Sequence, residues 1–159
     1  MKLLLLVLTT LTIAACAAGD GTASGYYRAN GIESALNFAR AGNGQPMTSG
    51  DPTIDIAFTE KDASGASTLD SNIVFLGKYG SAILVNLYKS RDGSWSVLSS
   101  SFHHSKVQRA GGSGGDLQIK NLSVANGQIA GEVYSKPGAE MFDAKIDVDV
   151  KFKALLPKH

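Results

Sequence analysis

The chain has 159 residues and a formal net charge of +1, with 15 basic against 14 acidic side chains. So even a balance excludes the electrostatic footprint of a nucleic-acid binder or a polybasic membrane stripe, and the length suits one domain with a real core. One cysteine leaves no partner for an internal disulfide or a multi-thiolate metal site, while eighteen glycines and few aromatics favour a turn-rich β domain over a helical bundle.

Residues 1–16 open with Lys2, run apolar from Leu3 to Ile13 and end in small side chains. That is the tripartite shape of a secretory signal, too short to serve as a permanent membrane span. Its last four residues, Ile13-Ala14-Ala15-Cys16, resemble the lipobox of bacterial lipoproteins. The resemblance implies that residues 1–15 are removed as a signal peptide and that Cys16 carries the lipid. In that family the cysteine thiol takes a diacylglycerol and the new amino group a further acyl chain. It also implies attachment to the cell envelope. In the lipoproteins of diderm bacteria an aspartate after the cysteine signals inner-membrane retention, so for a host with an outer membrane the resemblance, with Ala17 in that place, implies sorting there. Residues 16–25 hold only small and polar side chains after the cysteine and read as a flexible tether, with residues 26–159 as a single β domain.

Tyr26-Tyr27-Arg28-Ala29 leads into Asn30-Gly31, the dipeptide most suited to a tight hairpin turn. Residues 32–40 fit two patterns. Ile32, Leu36 and Phe38 share one strand face, whereas Ile32, Ala35, Leu36 and Ala39 share a helical stripe. The Asn-Gly turn between two apolar segments favours the strand. Residues 53–58 alternate, with Ile54, Ile56 and Phe58 inward. Asp70 is placed to cap a short helix over residues 71–78, ended by Gly80, although Ile73, Val74 and Leu76 equally fit a strand. Residues 81–89 are apolar on both faces, as in a central or doubly covered strand. Arg91-Asp92-Gly93 turns the chain into a returning strand over residues 95–103.

A glycine-rich loop over residues 109–116 is followed by a strand, a second Asn-Gly turn at Asn126-Gly127 and its hairpin partner. Pro137-Gly138 turns once more. From 142 to 156 every even position is apolar, and the odd positions 143–153 are all charged. On a helix this charge would encircle the axis; on a strand it makes one wet face. These elements predict an all-β fold, an antiparallel β-sandwich or barrel of seven or eight strands with one short helix. The pattern Asn30-Gly31-Ile32 with Leu36-Asn37-Phe38-Ala39, the segments 54–58 and 127–134 and the closing strand also resemble a group of small uncharacterised bacterial envelope β domains. That group offers no activity to carry over.

Several constellations invite chemistry. Gly111-Gly112-Ser113-Gly114-Gly115 matches G-x-S-x-G, but a nucleophile elbow needs a strand before the serine and a helix after it. Here another strand follows. His103 and His104 are adjacent, so on a strand their side chains point to opposite faces and cannot chelate one ion together. Asp62, Ser64 and Asp70 offer oxygens in one loop without a calcium-binding spacing. No cofactor, metal site or catalytic set is therefore expected. Trp95, His103 and His104 stand as the candidate binding surface. The leading expectation is a non-enzymatic, lipid-anchored envelope module that binds a protein partner, for instance as an inhibitor or immunity protein. A structural or assembly lipoprotein is the alternative, and an enzyme using Ser113 or the histidines, such as a hydrolase, a third.

Overall fold

Both Asn-Gly dipeptides turn the chain with positive φ at each residue: 48° and 82° at Asn30-Gly31, 53° and 70° at Asn126-Gly127. This paired left-handed geometry follows the twist of the flanking strands, which is why each dipeptide makes a two-residue hairpin. The computed structural model describes residues 20–157 apart from Ser67, Arg109, Gly115, Asp116 and Phe142. The signal segment, Cys16 and His159 lie outside the described residues. Ten strands and one short helix are present among those described: β1 (Asp20–Ala29), β2 (Ile32–Asn43), β3 (Thr53–Thr59), α1 (Asn72–Phe75), β4 (Ala82–Lys89), β5 (Trp95–His103), β6 (Gly111–Ser113), β7 (Leu117–Ala125), β8 (Gln128–Ser135), β9 (Glu140–Met141) and β10 (Ala144–Leu155).

All the strand pairings are antiparallel, in the order β6-β5-β4-β3-β2-β1-β10-β8-β7, with β9 added on β10. The first six strands form a meander, and β10 returns from the far end of the chain to the free side of β1. The sheet curls until β7 approaches β5, giving an all-β half-barrel around one main core. Tyr27, Phe58, Phe102 and Val150 are fully buried inside it. The strand count exceeds the expected seven or eight by β6 and β9, of three and two residues. β6 forms in what reads as a glycine loop because Gly111 to Ser113 pair with the end of β5.

The closing strand follows its alternation throughout. Every even residue from Ala144 to Ala154 is buried, and the odd residues are exposed or intermediate. Arg28 lies opposite Asp147 and its guanidinium meets that carboxylate at 2.7 Å, a cross-strand ion pair on the wet face. β3 and β4 are covered on both faces. Their convex side packs Ala57 and Ala82 against Ile73 and Val74 of α1, with Ala63 and Tyr79 completing a small second core. Asp70 does not cap α1 as its position suggests: the helix is a single turn whose N-cap is Ser71, without a side-chain cap bond, and Asp70 stands one residue earlier, its Oδ1 accepting the Asn72 N–H at 2.9 Å. Leu76 closes the helix as its C-cap, and Gly77, at φ 64°, comes next.

Two expectations need correction. The tether does not extend to residue 25, because β1 begins at Asp20 and pairs with β10 from Gly21 onward. The small residues there serve close packing: a Cβ on Gly21 would stand 2.2 Å from the Lys153 carbonyl oxygen, and one on Gly25 2.0 Å from that of Asp149. In β2, Phe38 does not share a face with Leu36. The β1–β2 register shifts between Thr22 and Gly25, leaving Asn37 and Phe38 outward in succession while Leu36 and Ala39 point inward. Ile32, beside the hairpin turn, is also exposed.

Candidate functional site

Trp95 opens β5 and His103 closes it, which separates them by about 27 Å at the rise of an extended strand. The three candidate surface residues are therefore not one surface. Trp95 packs partly against the main core with the Lys89 ammonium 5.9 Å from its ring centre. His103 lies beside α1, where a Cβ on Gly77 would come within 3.1 Å of its Nε2.

His104 turns the other way and is buried. The Lys106 backbone N–H donates to its Nδ1 at 3.2 Å, which makes that nitrogen an acceptor and places the ring proton on Nε2. Nε2 then donates to the Ile32 carbonyl at 3.0 Å. The ring stands edge-on to Tyr27 at 5.0 Å, and the Tyr27 hydroxyl donates to the Ala110 carbonyl at 3.0 Å. Burial, helped by the Lys106 charge, pushes the imidazole below its ordinary pKa, so it stays neutral. His104 thus fastens the chain just after β5 to the open side of the core.

A second fastening lies next to it. The buried Ser81 hydroxyl donates to Ser34 Oγ at 2.8 Å and accepts the Ser105 N–H at 3.0 Å. One Glu60 oxygen accepts the Ser81 N–H at 2.9 Å and the Ser105 hydroxyl at 3.1 Å. The Ser81 amide in particular holds the Glu60 carboxyl below the usual range.

Two concavities border these elements. An open groove of about 500 Å³ runs between α1 and the segment after β5, lined by Phe75, His103, Lys106, Val107 and Gly111 among others. Phe75 and its neighbour Leu76 are 47% and 73% exposed. A shallow cleft of about 640 Å³ lies on the convex face over β2 and β3, with Asn43, Gln45, Asp55, Thr68 and Asp70 in its wall. Burial raises the Asp55 pKa, partly offset by a hydrogen bond from the Asn86 amide directly across on β4. Arg40, in the same wall, pairs with Asp20 at 3.1 Å and donates to the carbonyls of Ala63 and Ala66. It braces the loop before α1.

The other sequence candidates make cross-strand or local contacts. Ser113 sits in edge strand β6, not at a strand-to-helix turn, and its hydroxyl lies 3.1 Å from that of Ser101. Asp62 accepts the Ser64 N–H at 2.8 Å, and Asp70 accepts the Thr68 hydroxyl at 2.9 Å besides the Asn72 N–H. Among the described residues no cluster of three histidine, cysteine or acidic side chains is arranged to hold a metal ion. No helix among them is long and apolar enough to cross a membrane. Compared with protein-family models, curated proteins and solved structures, the chain matches none.

Phe75, Leu76 and the Asp55–Asn86 pair escape a reading of the sequence. Ile73, Val74 and Leu76 form an apolar run that fits core, and only the one-turn length of α1 separates the buried pair from the exposed one. The Asp55–Asn86 pair depends on strand register, for which the sequence carries no local signal.

Proposed function

We propose that this protein is a lipid-anchored component of a bacterial cell envelope, directed to the outer membrane, and that it acts by binding a protein partner rather than by turnover. The address rests on the lipobox-like Ile13-Ala14-Ala15-Cys16. The binding role rests on one observation above all: Phe75 and Leu76 project from a one-turn helix beside an open groove, in a loop otherwise rich in polar residues. Adjacent large apolar side chains left in water are characteristic of a docking surface. The groups a hydrolase would draw on have other employment in this fold, His104 as a fastening and Ser113 beside Ser101 on an edge strand. An inhibitor or immunity protein is the most concrete form of the reading.

A photo-crosslinking residue placed at Leu76 of the full chain, in the native envelope, tests it. One predominant protein adduct is expected at position 76 and none from a matched probe at Ser49, which lies in the loop between β2 and β3. No adduct at 76, or adducts of equal yield at both positions, would remove the docking surface. The anchor has its own check, since Cys16→Ser should abolish fatty-acid incorporation and release the protein from membranes. Covalent labelling of Ser113 by an activated phosphonate would favour the hydrolase instead.

A further inference from the structure

The distance between the lipid attachment residue and the first strand fixes which part of the domain meets the membrane. β1 begins at Asp20, so only four Cα-to-Cα steps separate it from Cys16, at most about 14 Å of fully extended chain. The leash cannot lengthen by fraying. β1 is an interior strand, in register with β10 from Gly21 to Ala29 and with β2 on its other side, and its glycines are pressed against the β10 backbone. An acylated Cys16 therefore keeps the start of β1 near the headgroups.

The surface around that point is suited to the contact. Phe38, Thr22 and Lys153 lie side by side in one cross-strand row, and Leu155 follows two residues along β10. Phe38 is 37% exposed and Leu155 45%, and Lys153 is exposed between them. The register shift that turns Phe38 outward gives the main core nothing; it delivers an aromatic ring to the convex face beside the anchor. Apolar side chains around a lysine, whose alkyl stem lies on apolar surface while its ammonium reaches phosphate, are the usual composition of a bilayer-interface contact.

We propose that the convex patch Phe38–Thr22–Lys153–Leu155 rests on the bilayer headgroups and that the hairpin turn at the other end of β1 points away from the membrane. This deepens the envelope reading and rests on acylation of Cys16. β1 has ten residues, so Ile32, just past the turn, stands about 30 Å from Asp20 along the strand.

The test uses the full acylated chain in vesicles of phosphatidylethanolamine and phosphatidylglycerol carrying a headgroup nitroxide. Leu155→Cys and Ile32→Cys each replace a residue that is 45% exposed, and with Cys16 acylated the new thiol is the one that takes an environment-sensitive fluorophore. Loss of most of the fluorescence at position 155 and its retention at 32 is the expected result. Mass measurement of the N-terminal peptide separates the two ways to fail. Acylated protein with equal quenching at both positions, or with stronger quenching at 32, would overturn the pole assignment alone; a Cys16 without acyl chains would overturn it together with the lipoprotein reading.

Discussion

His104 shows how one side chain ties the open edge of the sheet to its core. It is neutral where it sits, and burial holds its folded pKa below the unfolded value of about 6.5. Such a group leaves stability intact above the unfolded pKa and withdraws it as pH falls from there towards the folded pKa, because the unfolded chain binds the proton more readily. His104→Phe keeps a ring beside Tyr27 but strands the Ile32 carbonyl and the Lys106 N–H, which should cost about 2 kcal/mol at pH 8. The difference between the two proteins should then shrink as pH falls below about 6.5, since only wild type loses this contribution. Urea midpoints at pH 8, 6 and 5 measure it, and a constant gap would mean that His104 is not held neutral. The adjacent histidines were legible as opposed in direction, because neighbours on an extended chain alternate. Which of them is buried was not, since that depends on His104 and Ala110 both meeting Tyr27.

Among the elements, β10 is the most legible because its signal is local and complete: the charged positions and the apolar ones each occupy one parity. Val148→Asp places an unpaired carboxylate in the main core and should remove most of a domain stability of about 5–15 kcal/mol. Asp149→Val next to it should shift stability by only about 0.5 kcal/mol. Denaturant unfolding of the domain gives both numbers, and equal effects would contradict the register. β1 is the opposite case. Its small residues gave no hydrophobic alternation to read, yet glycine is needed where two backbones approach too closely for a Cβ. Gly25→Ala should accordingly cost about 1–3 kcal/mol, whereas an alanine in a free tether would cost nothing measurable. β2 was legible as a strand but not in its facing, because the register shift against β1 is a property of the pair.

For the molecule as a whole, the decisive pairing is the one made last along the chain. β1 and β10 are neighbours near the middle of the sheet, with Gly21 opposite Ala154, 133 positions away in sequence. Local turns were readable as hairpins, but no turn announces this pairing, and so the sequence left sandwich and barrel undivided. The pairing brings the two ends of the domain together, as Gly21 lies beside Ala154 and Leu156 is tied to Gly127 by a hydrogen bond of 2.8 Å. A short glycine-serine linker from Pro157 to Asp20 should therefore close the domain without strain, and new ends can be opened at Ser49-Gly50, an exposed part of the loop between β2 and β3. β2 and β3 would remain paired from Phe38 opposite Thr59 to Asn43 opposite Ile54. The permutant should keep the β-sheet circular dichroism of the parent. It should also refold faster, because its most distant closure has become a hairpin and no longer carries the loop entropy of the whole chain. The β2–β3 contact becomes the long-range one in exchange, but it is shorter than the β1–β10 ladder and can form after the core has condensed. Stopped-flow refolding of both proteins compares the rates. A permutant that fails to fold would show that the chain ends are not neighbours, and with that the central β1–β10 pairing would fall.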